Sequence, residues 1–169
     1  MSDRIYTIPY ESIDYEGVKY RSKLECRWHV FLDTLGIIHI YEPKRFYFSD
    51  TVYTPDFGII AQGYDYLEIK FSAPTPDEYS KCRRLSELGY KVAILAGKCS
   101  PDVQVYLFED GHRRYIPRTS VFLQQCFQFK LNGRQGETIA ALKLVLGKGN
   151  YTKAFNAAYK FKSKGDKNE

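Results

Sequence analysis

The sequence predicts an α/β fold: a sandwich with a central mixed sheet flanked by helices, plus a C-terminal helical extension. Three observations carry that expectation. The segment order reads helix, three strands, helix, strand, hairpin, then helices. "KVAILAG" (91–97) is a short unbroken apolar run, the pattern of a strand covered on both faces. The helical stretch between "YLEIKF" and "KVAILAG" is a crossover that makes those strands parallel neighbours, while the meander before them is antiparallel.

Taken in order, "YEGVKY" is a short hairpin-like piece, after which Ser22 caps a helix. Leu24, Trp28, Phe31, Leu32 and Leu35 recur at helical spacing until Gly36 ends it. Residues 37–71 follow as three strands, broken near Ser49-Asp50 and at Gln62-Gly63, with alternation visible in Phe46, Phe48 and in Leu67, Ile69, Phe71. Pro74 and Pro76 open a second helix that Gly89 closes, and 103–117 reads as a hairpin turning at Asp110-Gly111. Helices are expected over 119–129, 136–146 and 151–162, with the last seven residues disordered.

A length of 169 residues suits one domain, burying roughly 70% of the surface its unfolded chain exposes. With 44% hydrophobic and 27% charged residues it reads as soluble and globular, not fibrous or disordered. The first residues lack an apolar core of signal-peptide length, and no apolar run is long enough to span a membrane, so no membrane partner is expected. Cys26, Cys82, Cys99 and Cys126 are scattered without a CxxC pair, and His29, His39 and His112 lack zinc spacing. They read as reduced thiols of a cytoplasmic protein, with disulfides the alternative. Net charge is +5, but nine of the 25 basic and only three of the 20 acidic residues lie from Lys130 onward. Residues 1–129 therefore carry 16 bases against 17 acids, and the C-terminal forty residues are where a polyanion would be held. A solubilising lysine tail is the competing explanation for the last ten.

The charged residues of "YTPDFGIIAQGYDYLEIKF" (53–71) stand out in a region of strand character. Glu68 and Lys70 share one strand face while Ile69 points to the other. Alone, that pair is as readily a solvated ion pair as a site. Asp56 follows Pro55, which cannot donate to a ladder and so bends or ends the strand. A hairpin turning near residue 62 sets Asp56 opposite Glu68, where two carboxylates would repel by a few kcal/mol at an effective dielectric near 20. Lys70 supplies one compensating charge, and a hard divalent cation would supply the rest. Magnesium needs one or two carboxylates, so Asp56, Glu68 and the backbone carbonyl of Ile69 suffice; Lys70 could then orient or deprotonate a metal-bound water, or donate to a phosphate. Ser22-Lys23-Leu24-Glu25 reads first as a capping box, in which Ser22 and Glu25 satisfy each other's backbone donors. Glu42 is ambiguous, and Trp28 and His29 read as helix packing.

"YRSKLECRWHVFLDTLGIIHIYEPKRF", then "YTPDF", then "LEIK" together resemble the PD-(D/E)xK nuclease superfamily, the restriction-endonuclease-like fold. They are particularly similar to phage-type endonucleases and junction resolvases, with their Arg-Ser-x-x-Glu helix, Tyr-Glu pair, Thr-Pro-Asp-Phe turn and Glu-x-Lys strand. The likeness covers about residues 19–97. It implies a Mg²⁺-dependent DNA endonuclease in which Mn²⁺ can substitute, with Asp56 and Glu68 holding the metal, Lys70 assisting the water and Glu25 completing the acidic site. Arg21 and Ser22 would contact phosphate. Many relatives follow the lysine with glycine where this chain has Phe71, which would narrow the approach to the scissile phosphate.

On this reading residues 1–118 form the nuclease core, 119–162 a basic helical extension packed on it, and 163–169 a tail. "YTKAFNAAYKFKSK" is similar to the Ala-rich basic C-terminal helices of phage nucleases, and Lys153, Lys160 and Lys164 on one helical face would hold DNA phosphates. The alternative, compatible with it, is that Tyr151, Phe155, Ala158, Tyr159 and the lysine stems pack on the core. The resemblance implies DNA as partner and an intracellular, phage-encoded setting, and admits a homodimer or a phage or recombination protein partner. A catalytically silent DNA-binding or assembly module and an RNA-directed nuclease are the competing functions.

Overall fold

The computed structural model describes residues 12–60, 64–116 and 148–161. The helices expected over 119–129 and 136–146, the tail, Cys126 and Lys164 lie outside them.

A two-stranded hairpin, β1 (Ile13–Tyr15) and β2 (Val18–Tyr20), leads into α1 (Lys23–Thr34). β3 (His39–Tyr41), β4 (Phe46–Tyr47), β5 (Val52–Tyr53), β6 (Phe57–Ile59) and β7 (Tyr66–Lys70) follow. Then come α2 (Pro76–Glu87), β8 (Val92–Ala96), β9 (Gln104–Glu109), β10 (His112–Ile116) and α3 (Lys148–Lys160). Six strands form a mixed sheet in the order β10-β9-β8-β7-β6-β3. Only β7 and β8 run parallel, joined through α2 as the crossover requires.

The apolar run of β8 divides between two cores. Ala93 and Leu95, with Leu67 and Ile69 of β7, join Trp28, Phe31 and Leu32 of α1 and Phe155 of α3. Val92 and Ile94 pack instead with Cys82 and Leu85 of α2. Helices thus lie on both faces, α1 and α3 on one and α2 on the other. α3 begins three residues before its expected start at 151 and ends two before 162. Its Ala154, Phe155 and Ala158 are buried, and the Phe155 ring lies 4.4 Å from that of Phe31. Tyr159 departs from expectation: it is exposed instead of packing on the core, because Ala154, Phe155 and Ala158 already fill the buried stripe.

The three strands expected over 37–71 are five. The stretch 52–60 splits at Pro55: β5 pairs with β4 in a small separate sheet, while β6 pairs with β3 and β7. Proline's missing N–H and fixed φ account for the break. The register of β6 on β7, Phe57 opposite Leu67 and Gly58 opposite Tyr66, is the one a turn centred near residue 62 demands. Gly58 is required there, since a Cβ would lie 2.8 Å from Pro43 Cγ and push the chain after β3 off the sheet.

Candidate active site

The site grows out of the place where β6 leaves β7. Continued two residues past Phe57, the register would set Pro55 opposite Ile69, and proline has no N–H to give the Ile69 carbonyl. On the same side, the Ile69 N–H is taken by the side chain of Asp56, to Oδ2 at 2.7 Å. A carboxylate has replaced backbone in the ladder. It is held there by the chain after β3, whose Glu42 N–H donates to the Asp56 carbonyl at 2.8 Å. Glu42 itself adopts φ 45°, a left-handed conformation uncommon for its type.

Glu25 reaches the same point from the first turn of α1, and Glu68 and Lys70 come from the α2-facing side of β7. The carboxylates are buried: Asp56 is 2% exposed, Glu68 6% and Glu25 7%. Each oxygen has a partner. Arg21 Nη2 lies 2.7 Å from Asp56 Oδ1, while Arg21 Nε pairs with Glu42 at 2.9 Å. Lys70 Nζ bridges Glu68 Oε1 at 2.8 Å and Glu78 Oε1 at 3.1 Å. Tyr53 donates its hydroxyl to Glu68 Oε2 at 2.8 Å. Ser22 and Tyr41 donate theirs to Glu25 Oε1 and Oε2 at 2.8 and 2.6 Å.

Mutual capping of Ser22 and Glu25 is therefore only half present. Ser22 Oγ accepts the Glu25 N–H at 3.2 Å, but the Glu25 carboxylate turns to two hydroxyls. The complete capping box is in α2, between Thr75 and Glu78.

Electrostatics follow from this crowding. Burial, then the carboxylates of Glu68 and Glu25, pushes the Asp56 carboxyl well above its ordinary pKa, against the Ile69 N–H and Lys70. Burial opposes the Lys70 ammonium, yet Glu68, with Asp56 and Glu78, holds its pKa above the ordinary lysine value. In this arrangement Lys70 is a cation that donates, not a base. Burial raises Tyr41 and Tyr53, with Glu25 and Glu68 adding to the shift, so both stay neutral hydroxyl donors.

Apart from Tyr41 and Glu42, these groups line one open cleft of about 1390 Å³. Of the residues named from sequence, the cleft gathers Arg21, Ser22, Glu25, Asp56, Glu68, Ile69 and Lys70. Lys153 and Lys160 are exposed on α3 and do not line it, although Tyr159 of the same helix does. Sequence reasoning missed the hydroxyls of Tyr41 and Tyr53 and the role of Glu78. It also missed the basic rim of Arg27, Lys81 and Lys98. Only Glu78 left a readable signal, its place in Thr-x-x-Glu.

The donor set is of the kind a hard divalent cation takes: Glu25, Asp56 and Glu68 are buried and offer only oxygen, and beyond burial itself Glu68 and Glu25 push the Asp56 pKa up. Among the described residues no group of three or more His, Cys, Asp or Glu is placed to hold a metal ion by itself. The fit is to an ion that keeps most of its waters. Among the same residues, no helix is long and apolar enough to cross a membrane. No protein-family model, curated protein or solved structure matches the chain, so the chemistry of the cleft rests on its own residues.

Proposed function

We propose that this protein is a metal-dependent endonuclease of the restriction-endonuclease-like fold that hydrolyses DNA phosphodiesters in this cleft. The observation that carries the reading is that Glu25, Asp56 and Glu68, all buried, line one cleft together with Lys70 at the break after Pro55. Asp56, Glu68 and the Ile69 carbonyl would hold a Mg²⁺ or Mn²⁺ ion, with Glu25 as the further carboxylate. When bound, such an ion acidifies a water and offsets charge developing on the phosphate. Tyr53 fixes the Glu68 carboxylate, and Ser22 and Tyr41 fix that of Glu25, so neither must reorganise during the reaction. Lys70, as an ammonium, donates to a phosphate oxygen or orients the attacking water. Arg21, half exposed at the cleft mouth, supplies a second phosphate donor once Asp56 is otherwise neutralised.

Lys70→Ala is expected to abolish cleavage of plasmid DNA in Mg²⁺ or Mn²⁺ while leaving DNA binding nearly intact. Supercoiled, branched and single-stranded DNA all left uncut in manganese would end the proposal. Parallel assays on a four-way junction, a linear duplex, a plasmid and the matching RNA identify the substrate class.

A second reading has an observation in its favour. Arg21 and Lys70 already neutralise Asp56 and Glu68, as in a silent module that kept the fold for binding or assembly. Titration calorimetry separates the two, since the silent module takes up no divalent ion.

A further inference from the structure

Aromatic side chains in this protein interlock: Phe46, Tyr66 and Tyr90 meet edge to face, as do Trp28 and Phe31, and Tyr79 and Tyr106. Phe71 and Tyr159 do not. Phe71 is 74% exposed and Tyr159 79%, and neither has an aromatic neighbour among the described residues. Single exposed rings are common on surfaces. These two differ in where they stand, because both line the acidic cleft. Phe71 follows Lys70 directly at the end of β7. Tyr159 comes from α3, which packs on α1.

The same cleft carries unspent positive charge. Lys98 has no ion pair among the described residues, and Arg27 has a buried Nε without a hydrogen-bond partner. Cations that follow a phosphate backbone, joined to open aromatic faces, are the two components of sites that hold unpaired strands. In a duplex the bases turn their faces to one another and offer none to a protein ring. Duplex binding would leave Phe71 and Tyr159 against water or sugar edges, gaining little.

We infer that the cleft takes a nucleic-acid strand with unpaired bases, one base stacking on Phe71 and another on Tyr159, flanking the phosphate held at Asp56 and Glu68. Its placement at the scissile phosphate rests on the nuclease reading. The stacking itself does not. Such a strand occurs as a single strand, a flap or the opened centre of a branched substrate. Phe71, which departs from the glycine usual in the resembling family, is then a means of selecting substrate and not an obstruction.

The test is fluorescence anisotropy in calcium, using a labelled oligothymidylate of about 12 nucleotides, the matching oligouridylate and a blunt duplex. A gel run afterwards confirms that the bound strand is uncut. Wild type should bind an unpaired strand at least about tenfold more tightly than duplex. The tighter of the two single strands names the natural sugar. Phe71→Ala and Tyr159→Ala should each weaken single-strand binding by about 5- to 100-fold, leaving duplex binding within about twofold. Phe71→Leu, which keeps bulk without a π face, should behave like Phe71→Ala, and Phe71→Trp should restore binding. Both positions are exposed, so the fold survives these changes. Equal affinity for single strand and duplex, or alanine variants that bind like wild type, would overturn the inference. Stacking retained without any cleavage in manganese would sink the nuclease reading and leave the platform standing. Cleavage insensitive to both alanine changes would do the reverse.

Discussion

α1 and α2 begin with the same pattern, Ser22-Lys23-Leu24-Glu25 and Thr75-Pro76-Asp77-Glu78, yet their glutamates are used differently. Glu78 closes its box: its carboxylate accepts the Thr75 N–H at 2.7 Å while Thr75 Oγ1 accepts the Glu78 N–H at 3.3 Å. Burial opposes its charge, but the Thr75 N–H and Lys70 outweigh that and lower its pKa. Glu25 leaves its box half made and is buried against two hydroxyls. A capping pattern therefore says where a helix starts and nothing about whether its acid is spent. What decides is the third partner: Tyr41 from β3 draws Glu25 inward, and Lys70 from β7 draws on Glu78 at the rim.

The largest expected effect breaks the symmetry at catalysis. Glu25→Gln should lower metal-dependent cleavage on the order of 100-fold or more, and Glu78→Gln by less than about tenfold. Initial rates on plasmid DNA decide this, and equal losses would mean that Glu25 is only a cap.

Next in size is the response to a divalent ion. Saturating Mg²⁺ or Mn²⁺ should raise the melting temperature of wild type and of Glu78→Gln by about 5 °C or more. Asp56→Asn and Glu68→Ala should lose that shift, because they remove donors. A shift retained in both would place the ion elsewhere.

The order reverses for stability without metal. Glu78→Ala removes a capping box and a Lys70 partner and should cost about 1 kcal/mol, a few degrees in melting temperature. Glu25→Gln should cost less, since it also removes one of the carboxylates that repel Asp56. Differential scanning fluorimetry in EDTA reads both. A larger loss for Glu25→Gln would return it to the role of a cap.

How much of this was legible follows from range. The β6–β7 register was readable because a hairpin's turn fixes it, and Ile69's place opposite the Glu68–Lys70 face follows from the period of two. The break at Pro55 was readable from proline chemistry alone. The partners of the carboxylates were not. Tyr41 lies 16 residues from Glu25 and Tyr53 lies 15 from Glu68, and nothing local ties either hydroxyl to its acid. Arg21 was expected on phosphate, and its pairing with Asp56 depends on how α1 seats against β6. Tyr159 fits the helical spacing as core, and only the crowding of α3 by Ala154, Phe155 and Ala158 shows why it stays outside.

The smallest expected effect concerns α1 itself. It carries His29, whose Nδ1 lies 2.8 Å from Nε2 of His39 on β3, while His39 Nδ1 meets the Ile37 carbonyl at 2.7 Å. Glu16 Oε2 lies 3.8 Å from His29 Nε2, Tyr15 and Tyr20 pack on the ring, and Asp33 acts from the same helix. Burial first, then His39, lowers the His29 pKa below 6.5, against the weaker pull of Asp33 and Glu16. A lowered folded pKa means that the native state binds fewer protons than the unfolded chain. The stability it confers is present above about pH 6.5 and is lost as pH falls through the folded value. Urea midpoints should thus drop from pH 7 to pH 5.5 by more in wild type than in His29→Phe. Hydrogen exchange should show α1 loosening with acid before α2, which has no histidine. Parallel pH curves for wild type and variant would show that the seat of α1, and with it the placement of Glu25, is indifferent to this pair.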